Sequence, residues 1–205
     1  MALRAEFARA VAEGWIAYFQ AASARYEVRA EVLMGIASRE TAMGGPLLRD
    51  GSFKWLAMPG DGGHGYGLMQ IDKASYPAWV ATEAWQRAEP SIHMGAAVLR
   101  AKTDSLVVRR GLVVRVQDRK SRQVYPFLMP ALEGAVLERV AIASYNAGDW
   151  APYHYVKGRG PDYGTTGRDY SADVLGRAVL FSQWLEATHA ENHDHEVGAG
   201  PHESR

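Results

Sequence analysis

The feature that most constrains the fold of this chain is a glycine-rich segment at 44–67, "GGPLLRDGSFKWLAMPGDGGHGYG". Glycine, proline and aspartate recur too often there for a regular helix or strand, so we predict a long, shaped loop. Long ordered loops in compact domains usually carry function. The rest of the chain must therefore supply a scaffold that holds this loop in place.

Helical periodicity dominates that scaffold. One apolar stripe predicts a first helix, and its members are Phe7, Val11, Trp15, Tyr18 and Ala22. A second helix is predicted at about 28–40, with an apolar face made of Val32, Leu33, Ile36 and Ala37. Further helical patterns lie at 91–106, 130–148 and 166–187, the last with a capping-box spacing from Thr166 to Asp169. The predicted fold class is mainly α.

A β-hairpin is predicted at "LVVRVQDRKSRQVYPF", residues 112–127, where apolar and polar residues alternate around a polar tetrad at 118–121. The hairpin region is basic, and its cations are Arg109, Arg110, Arg115, Arg119, Lys120 and Arg122. A solvated charged face explains such a cluster, and so does a grip on anionic groups of a ligand. The sequence leaves both interpretations open.

Length and composition indicate one domain at 1–188, followed by a disordered tail at 189–205 that lacks apolar periodicity. The 23 lysines and arginines balance 23 aspartates and glutamates, so no net field marks a nucleic-acid-binding protein. The absence of cysteine excludes disulfides, thiol catalysis and cysteine-ligated zinc. The histidines of the tail, at 189, 193, 195 and 202, lack a rigid spacing, so we predict no metal and no cofactor.

The chain contains no apolar run of ~20 residues, which argues against a membrane span. Its first twenty residues do not form the pattern of a secretory signal. We therefore expect a soluble protein that is made in the cytoplasm without a signal peptide.

Glu40 lies on the apolar stripe of the second predicted helix, four residues after Ile36. The first interpretation is structural: the carboxylate pairs with an arginine such as Arg39 or is held by backbone donors. The second is a general acid, because partial desolvation at the rim of the glycine-rich loop would raise its pKa.

A general acid needs a counterpart, and the loop region supplies Asp61 and Asp72. Each of them is also a common turn residue. One carboxyl at a helix end and two on a facing loop match the requirement of glycoside hydrolysis, in which one group protonates the leaving oxygen and another activates water.

Four motifs in order resemble the goose-type lysozyme and lytic transglycosylase superfamily. They are "GIASRETAMGG", "GDGGHGYGLMQID", "AIASYNAG" and "TTGRDYSADVLGRA". The resemblance implies a lysozyme-like helical fold and a monomer that cleaves peptidoglycan between N-acetylmuramic acid and N-acetylglucosamine. It places Glu40 on the catalytic glutamate, and Gln70, Tyr145 and Asn146 beside the cleft. Tyr66, His64 and Tyr170, in the same motifs, complete the predicted substrate-binding set.

The segment at 60–72 resembles the goose-type version of that superfamily, which adds two water-positioning aspartates. The resemblance thus implies an inverting hydrolase in which Asp72, helped by Asp61, activates water. The stretch between Glu40 and Asp61 is longer than usual in that family, and the region 105–127 looks like an insertion.

Two other functions stay open: a lytic transglycosylase that forms 1,6-anhydromuramic acid, and a non-catalytic wall-binding module. For a muramidase without an export signal, we expect delivery as an endolysin, which reaches the cell wall after release from the cytoplasm.

Overall fold

The computed structural model of the chain describes residues 2–197, with side chains from 3 to 188. As predicted, the fold is mainly α-helical. The helices are α1 (Ala2–Ala12), α2 (Trp15–Tyr26), α3 (Ala30–Thr41), α4 (Lys54–Ala57), α5 (Pro77–Ala81), α6 (Ala88–Val108), α7 (Gly134–Ala147), α8 (Trp150–Val156) and α9 (Tyr170–Val197). Two antiparallel hairpins pair β1 (Gly65–Tyr66) with β2 (Ile71–Asp72), and β3 (Val113–Gln117) with β4 (Val124–Leu128).

Helix α3 lies at the centre and packs against α2, α6 and α9. Its predicted apolar face is confirmed, because all four of its members are buried. The crossing with α9 is close at Gly35, where a Cβ would lie 2.6 Å from the backbone oxygen of Val174. A glycine at this position therefore lets the end of α3 approach the start of α9.

The prediction of one first helix is wrong, because α1 and α2 are separate helices. Gly14 adopts a left-handed backbone with φ 69° and breaks the chain direction between them. The break changes the phase of the apolar stripe, so Val11 is 45% exposed while Phe7 and Trp15 are buried.

The glycine-rich segment is not wholly irregular, which corrects the prediction that it contains no regular element. It contains α4, a 3₁₀ turn at Asp61–Gly63 and strand β1. Each piece is only two to four residues long, so hydropathy periodicity could not reveal it.

The β3–β4 hairpin is confirmed, with Val113 opposite Leu128 and Gln117 opposite Val124. One of its faces buries Val114, Val116 and Phe127. Tyr125 of β4 packs on Trp150 of α8 at 5.8 Å between ring centroids. The hairpin is therefore anchored to the domain by an apolar and aromatic face.

The last helix begins at Tyr170 rather than near Thr166, because Gly167 has φ 78° and ends a short 3₁₀ turn first. The helix continues to Val197, nine residues into the predicted tail, where the sequence has neither glycine nor proline. The backbone at 189–197 continues α9, whereas the tail side chains from His189 and all of 198–205 lie outside the described residues.

Within residues 2–197, no helix combines the length and the apolar character needed to cross a membrane. Nor does the part of the chain with described side chains bring three or more His, Cys, Asp or Glu residues together as a metal site.

Candidate active site

Glu40 occupies the last turn of α3, and a tight chain reversal follows it. Four consecutive residues, 42–45, have left-handed backbones. Glycine is required at Gly45, since a Cβ there would lie 2.6 Å from the Trp55 ring. Arg9 of α1 holds the turn by donating hydrogen bonds of 2.8–3.0 Å to the carbonyls of Ala42, Met43 and Gly45. The helix therefore ends abruptly, with its carboxylate at the edge of the loop.

The Glu40 carboxylate accepts a hydrogen bond from the phenol of Tyr170, which is only 1% exposed. Burial raises the pKa of Glu40 to about 7, against the lowering effects of the Tyr170 hydrogen bond and the Arg39 charge. The negative charge of Asp61 adds to the increase. Burial also raises the pKa of Tyr170, so its phenol keeps its proton and acts as a donor. Glu40 is thus held half protonated near neutral pH.

Arg39 forms no ion pair with Glu40 among the described side chains, so the arginine pairing named in the structural interpretation is not made. Its guanidinium instead donates to Asp169 at 2.8 Å and to Asp173 at 2.9 Å. Asp169 directly precedes α9 and Asp173 lies in its first turn, and Arg39 also reaches the carbonyl of Thr166 at 3.2 Å. Arg39 therefore fixes α3 to the same helix end that presents Tyr170.

Asp61 lies at the start of the 3₁₀ turn in the glycine-rich segment, with φ 46° and an exposed side chain. It is close enough to Glu40 for its charge to raise that pKa. Among the described residues, no side chain or backbone donor is hydrogen-bonded to its carboxylate. This leaves both carboxylate oxygens of Asp61 available to a ligand or a water.

Asp72 ends β2, opposite Gly65. Its carboxylate accepts hydrogen bonds from the backbone N–H groups of Ala74 (3.2 Å) and Ser75 (3.0 Å), and from the Ser75 hydroxyl (2.6 Å). Burial opposes ionisation of Asp72, but these hydrogen bonds and the charge of Arg119 outweigh it and lower its pKa. Asp72 is therefore ionised and also organises the turn after β2.

Gln70 packs between the 3₁₀ turn that carries Asp61 and the β1–β2 hairpin that carries Asp72. It has φ 47°, and its amide donates to the carbonyl of Gly67 at 2.9 Å. Its side-chain oxygen lies so close to two glycines that a Cβ would be 2.1 Å away at Gly60 and 2.4 Å away at Gly65. These glycines are thus required by the packing of Gln70, which holds the segments bearing Asp61 and Asp72 together.

The other predicted substrate-binding residues lie around this centre. Tyr145 donates to the carbonyl of Met69 at 2.9 Å, and Asn146 accepts from the N–H of Thr166 at 3.0 Å. Tyr66 packs edge-on against Trp85 at 5.1 Å, and His64 is exposed. Of the predicted set, Tyr170 is buried and is the hydrogen-bond partner of Glu40.

No family model matches the chain. The chain is 32% identical over 152 residues to lysozyme g of Casuarius casuarius, an overlap that covers 74% of this chain and 64% of that protein. This chain is similar to goose-type lysozymes. The goose-type resemblance of the four motifs is thereby confirmed.

Two further goose-type lysozymes show the same level of similarity. Lysozyme G of Dromaius novaehollandiae is 31% identical and lysozyme g of Gallus gallus 32% identical, each over 152 residues and 74% of this chain. The overlap spans 58% and 56% of those proteins. The chain thus spans less than two thirds of the length of these goose-type relatives.

Sequence reasoning missed two residues of the goose-type-like site. Arg9 caps the turn after Glu40 from 33 to 36 positions away, and no local pattern marks it. Thr41, next to Glu40 in the first motif, donates to the carbonyl of Leu68 at 2.9 Å and accepts from the N–H of Gly44 at 3.1 Å. Its place directly before the chain reversal was the one available signal.

Proposed function

We propose that this chain hydrolyses the β-1,4 bond between N-acetylmuramic acid and N-acetylglucosamine in peptidoglycan. The observation that carries the proposal is the pKa of Glu40, which burial raises to about 7 and to which the nearby charge of Asp61 adds, while hydrogen bonds keep the pKa of Asp72 in the same loop region low. Two carboxyl groups with separated pKa values are what glycoside hydrolysis requires. The similarity to goose-type lysozymes supports the same reaction.

Glu40 is proposed as the general acid. With a pKa of about 7, a large fraction of the enzyme carries the proton at neutral pH. The proton is delivered to the glycosidic oxygen as the bond to the anomeric carbon breaks. Tyr170 keeps the carboxyl oriented and stabilises the carboxylate that remains after proton transfer.

Water activation is proposed for the two aspartates, with the larger share on Asp61. Sequence resemblance favoured Asp72, but the oxygens of Asp72 already accept three hydrogen bonds within its own turn. A carboxylate whose pKa is lowered by such bonds is a weaker base. Asp61 is exposed, acts electrostatically on Glu40 and is the better candidate for the base that accepts the proton of the water.

Digestion of purified peptidoglycan tests the reaction. The wild type should release fragments with reducing N-acetylmuramic acid ends, and proton NMR of the first product should show the inverted anomer. Glu40→Gln should lower kcat at least about 10²-fold, because an amide has no acidic proton to deliver. Glu31→Gln, at the opposite end of α3, is the matched control and should retain activity.

The product mass separates hydrolysis from the transglycosylase alternative, because 1,6-anhydro ends are lighter by one water. Predominantly anhydro products would refute the hydrolase proposal. Binding to peptidoglycan with no bond cleavage by the wild type would favour the wall-binding module.

The two aspartates are distinguished by substitution with asparagine. Asp61→Asn should lower kcat at least about 10²-fold with little effect on KM. Asp72→Asn should lower thermal stability as well as activity, because an amide cannot accept all the hydrogen bonds of this turn. A stable Asp72→Asn variant with the greater loss of kcat would reverse the assignment.

The endolysin route expected from the sequence stays a prediction. Expression inside bacterial cells, with and without a separately supplied membrane pore, tests it. Lysis that occurs only with the pore would support this route, and lysis without the pore would refute it.

A further inference from the structure

A cavity of about 630 Å³ lies between the β3–β4 hairpin and the junction of α7 with α8. The hairpin side consists of residues 115–120, and the opposite side includes Asn146, Trp150 and Gly164. Arg119 at the hairpin tip is close enough to Asp72 to lower its pKa. The hairpin tip that lines the cavity therefore lies near Asp72, although neither Asp72 nor Glu40 lines the cavity itself.

The hairpin presents a strand edge to this cavity. Three consecutive residues of β3, 115–117, line the cavity together with the turn at 118–120, and because side chains of a strand alternate between its two faces, three in a row cannot reach the cavity through a single face. In the described part of the chain β3 pairs only with β4, and its other edge has no partner strand. An unpaired edge carries main-chain donors and acceptors for an extended peptide.

The register identifies which groups face that edge. The backbone N–H of Asp118 donates to the carbonyl of Gln123, and the carbonyl of Leu112 accepts from the N–H of Met129. These two positions therefore form hydrogen-bonded pairs across the hairpin. Hydrogen-bonded pairs alternate along an antiparallel ladder, which leaves Arg115 and Gln117 with N–H and C=O groups that point away from β4. The open edge therefore offers two residues' main-chain groups to a ligand.

The charges around the cavity favour an anionic ligand. Arg115, Arg119 and Lys120 line it, and no ion pair within the described side chains joins any of them to a carboxylate. Of the two lining carboxylates, Asp149 is neutralised by two hydrogen bonds from Arg109, at 2.8 and 2.5 Å. Asp118 accepts from the N–H groups of the turn, at 3.0 and 2.7 Å.

The opposite wall carries an aromatic surface. The Trp150 ring packs on Tyr125, Tyr153 and His154 at 5.3–5.8 Å, which fixes its orientation at the cavity. An aromatic face beside polar groups is suited to the apolar face of a sugar ring. A saccharide with an attached anionic, extended branch would thus satisfy both walls.

We propose that this cavity binds the carboxylate-bearing peptide branch of a peptidoglycan strand, extended along the free edge of β3. The proposal rests on the proposed function for the identity of the glycan. A peptide is favoured over an anionic phosphate polymer because the strand edge offers main-chain hydrogen bonds, which a phosphate polymer cannot reciprocate as a strand. The branch would reach the cavity while its glycan chain lies at Glu40 and Asp61.

Direct binding is the first test, and it does not depend on catalysis. Calorimetry should detect binding of a soluble N-acetylmuramoyl tetrapeptide to the wild type. The same measurement is made with the Arg115→Gln/Lys120→Gln variant, and with a tetrapeptide whose carboxylates are amidated. The double variant should bind the carboxylate form about tenfold more weakly, since it lacks two of the three lining cations. Arg119 is kept, because its charge also acts on Asp72.

The matched control is Arg110→Gln/Arg122→Gln, which removes two cations of the same region that do not line the cavity. Equal weakening in the control, or amidated peptide that binds the wild type as tightly, would overturn the proposal. Tighter binding of a glycerol phosphate oligomer through the same two cations would also overturn it, in favour of a wall polymer.

Hydrogen exchange tests the strand edge itself. Saturating N-acetylmuramoyl tetrapeptide should slow exchange of the amides of Arg115 and Gln117, which face the open edge, more than that of Val114 and Val116, which already pair with β4. Unchanged exchange at Arg115 and Gln117 in the bound state would refute peptide addition to β3.

A cleavage ratio links this site to the reaction. The ratio of kcat/KM for peptide-bearing strands to kcat/KM for peptide-free strands should fall about tenfold in Arg115→Gln/Lys120→Gln and stay constant in the control variant. A constant ratio in both variants would refute a role for the cavity in substrate selection. Absence of cleavage on both strands by the wild type would refute the proposed function, while the binding result would still decide whether the cavity takes the peptide.

Discussion

Tyr170 shows how one buried hydroxyl sets the chemistry of a carboxylate. Its phenol donates to Glu40 while burial of both groups disfavours the negative charge. The hydrogen bond stabilises the carboxylate, and desolvation stabilises the carboxylic acid. The pKa of about 7 is the balance of these opposing effects, so each of them can be altered separately.

Tyr170→Phe should raise the pKa of Glu40 further, because it removes a hydrogen bond that favours the ionised form. The alkaline limb of the pH profile of kcat/KM should therefore move to higher pH, with activity at its optimum reduced by about tenfold through lost orientation. Tyr145→Phe is the control, because its hydroxyl bonds to Met69 rather than to Glu40. A downward shift, or an equal shift in the control, would contradict this account.

Glu40 should also affect stability in a pH-dependent way. Its pKa is raised from 4.5 to about 7 in the folded state, so folding favours the protonated form. The resulting free-energy cost is absent below about pH 4.5, grows as pH rises and is complete above about pH 7. Glu40→Gln should therefore increase the free energy of unfolding by up to about 3 kcal/mol at pH 8, and change it little at pH 4.

Urea unfolding of the wild type and Glu40→Gln at pH 4 and pH 8 measures this difference. Glu31→Gln provides the comparison for loss of a carboxylate on the same helix. Equal stability of the wild type and Glu40→Gln at pH 8 would mean that Glu40 is not desolvated in solution.

At the scale of elements, the glycine-rich segment is organised by one side chain. Gln70 packs across Gly60 and Gly65 and so connects the 3₁₀ turn that carries Asp61 with the β1–β2 hairpin that carries Asp72. The glycines of this segment therefore allow close packing against a side chain as well as tight turns of the backbone. The segment is therefore an ordered part of the candidate site rather than a flexible connection.

Gly65→Ala should destabilise the domain by about 1–3 kcal/mol, because its Cβ would lie 2.4 Å from the Gln70 side-chain oxygen. The double variant Gly65→Ala/Gln70→Ala should recover part of that loss, since the clash requires both side chains. Gly176→Ala is the control, as nothing lies within 4 Å of its added Cβ. Urea unfolding of Gly65→Ala, Gln70→Ala, the double variant and the control completes this double-mutant cycle. If the stability losses of the two single variants simply add in the double variant, the contact is refuted.

At the scale of the whole molecule, the geometry of the candidate active site depends on the packing of α3 against α9. Glu40 lies on one helix and Tyr170 on the other, and the ion pairs of Arg39 with Asp169 and Asp173 join the same two ends. Gly35 permits this close approach one turn and a half before Glu40. A small displacement of the helices would separate the donor from the carboxylate.

Gly35→Ala should therefore reduce activity more than its effect on folding explains. The added Cβ would lie 2.6 Å from the backbone oxygen of Val174, which cannot move aside as a flexible side chain would. We expect a loss of stability of about 1–3 kcal/mol and a shift of the pH profile in the same direction as in Tyr170→Phe. Reduced stability with an unchanged pH profile would show that the Glu40–Tyr170 contact tolerates the displacement.

Much of the helical scaffold could be predicted because its signals are local. The apolar face of α3 is read from spacings of three and four residues, and these fix both the helix and the place of Glu40 on its buried stripe. The β3–β4 hairpin follows from alternation around a polar turn. The start of α9 was misjudged because Gly167 adopts a left-handed conformation that composition alone does not reveal.

The sequence by itself determined the helix that carries Glu40, the β3–β4 hairpin and the candidate acid, because periodicity and motif order act over short stretches of chain. Only the tertiary structure decided that Arg39 turns to α9 instead of Glu40, and that Tyr170, 130 positions away, donates to that carboxylate. It also decided that Arg119 of the hairpin lies near Asp72. A pKa depends on burial and on charges brought together by packing, and no local sequence pattern specifies which distant residues those will be.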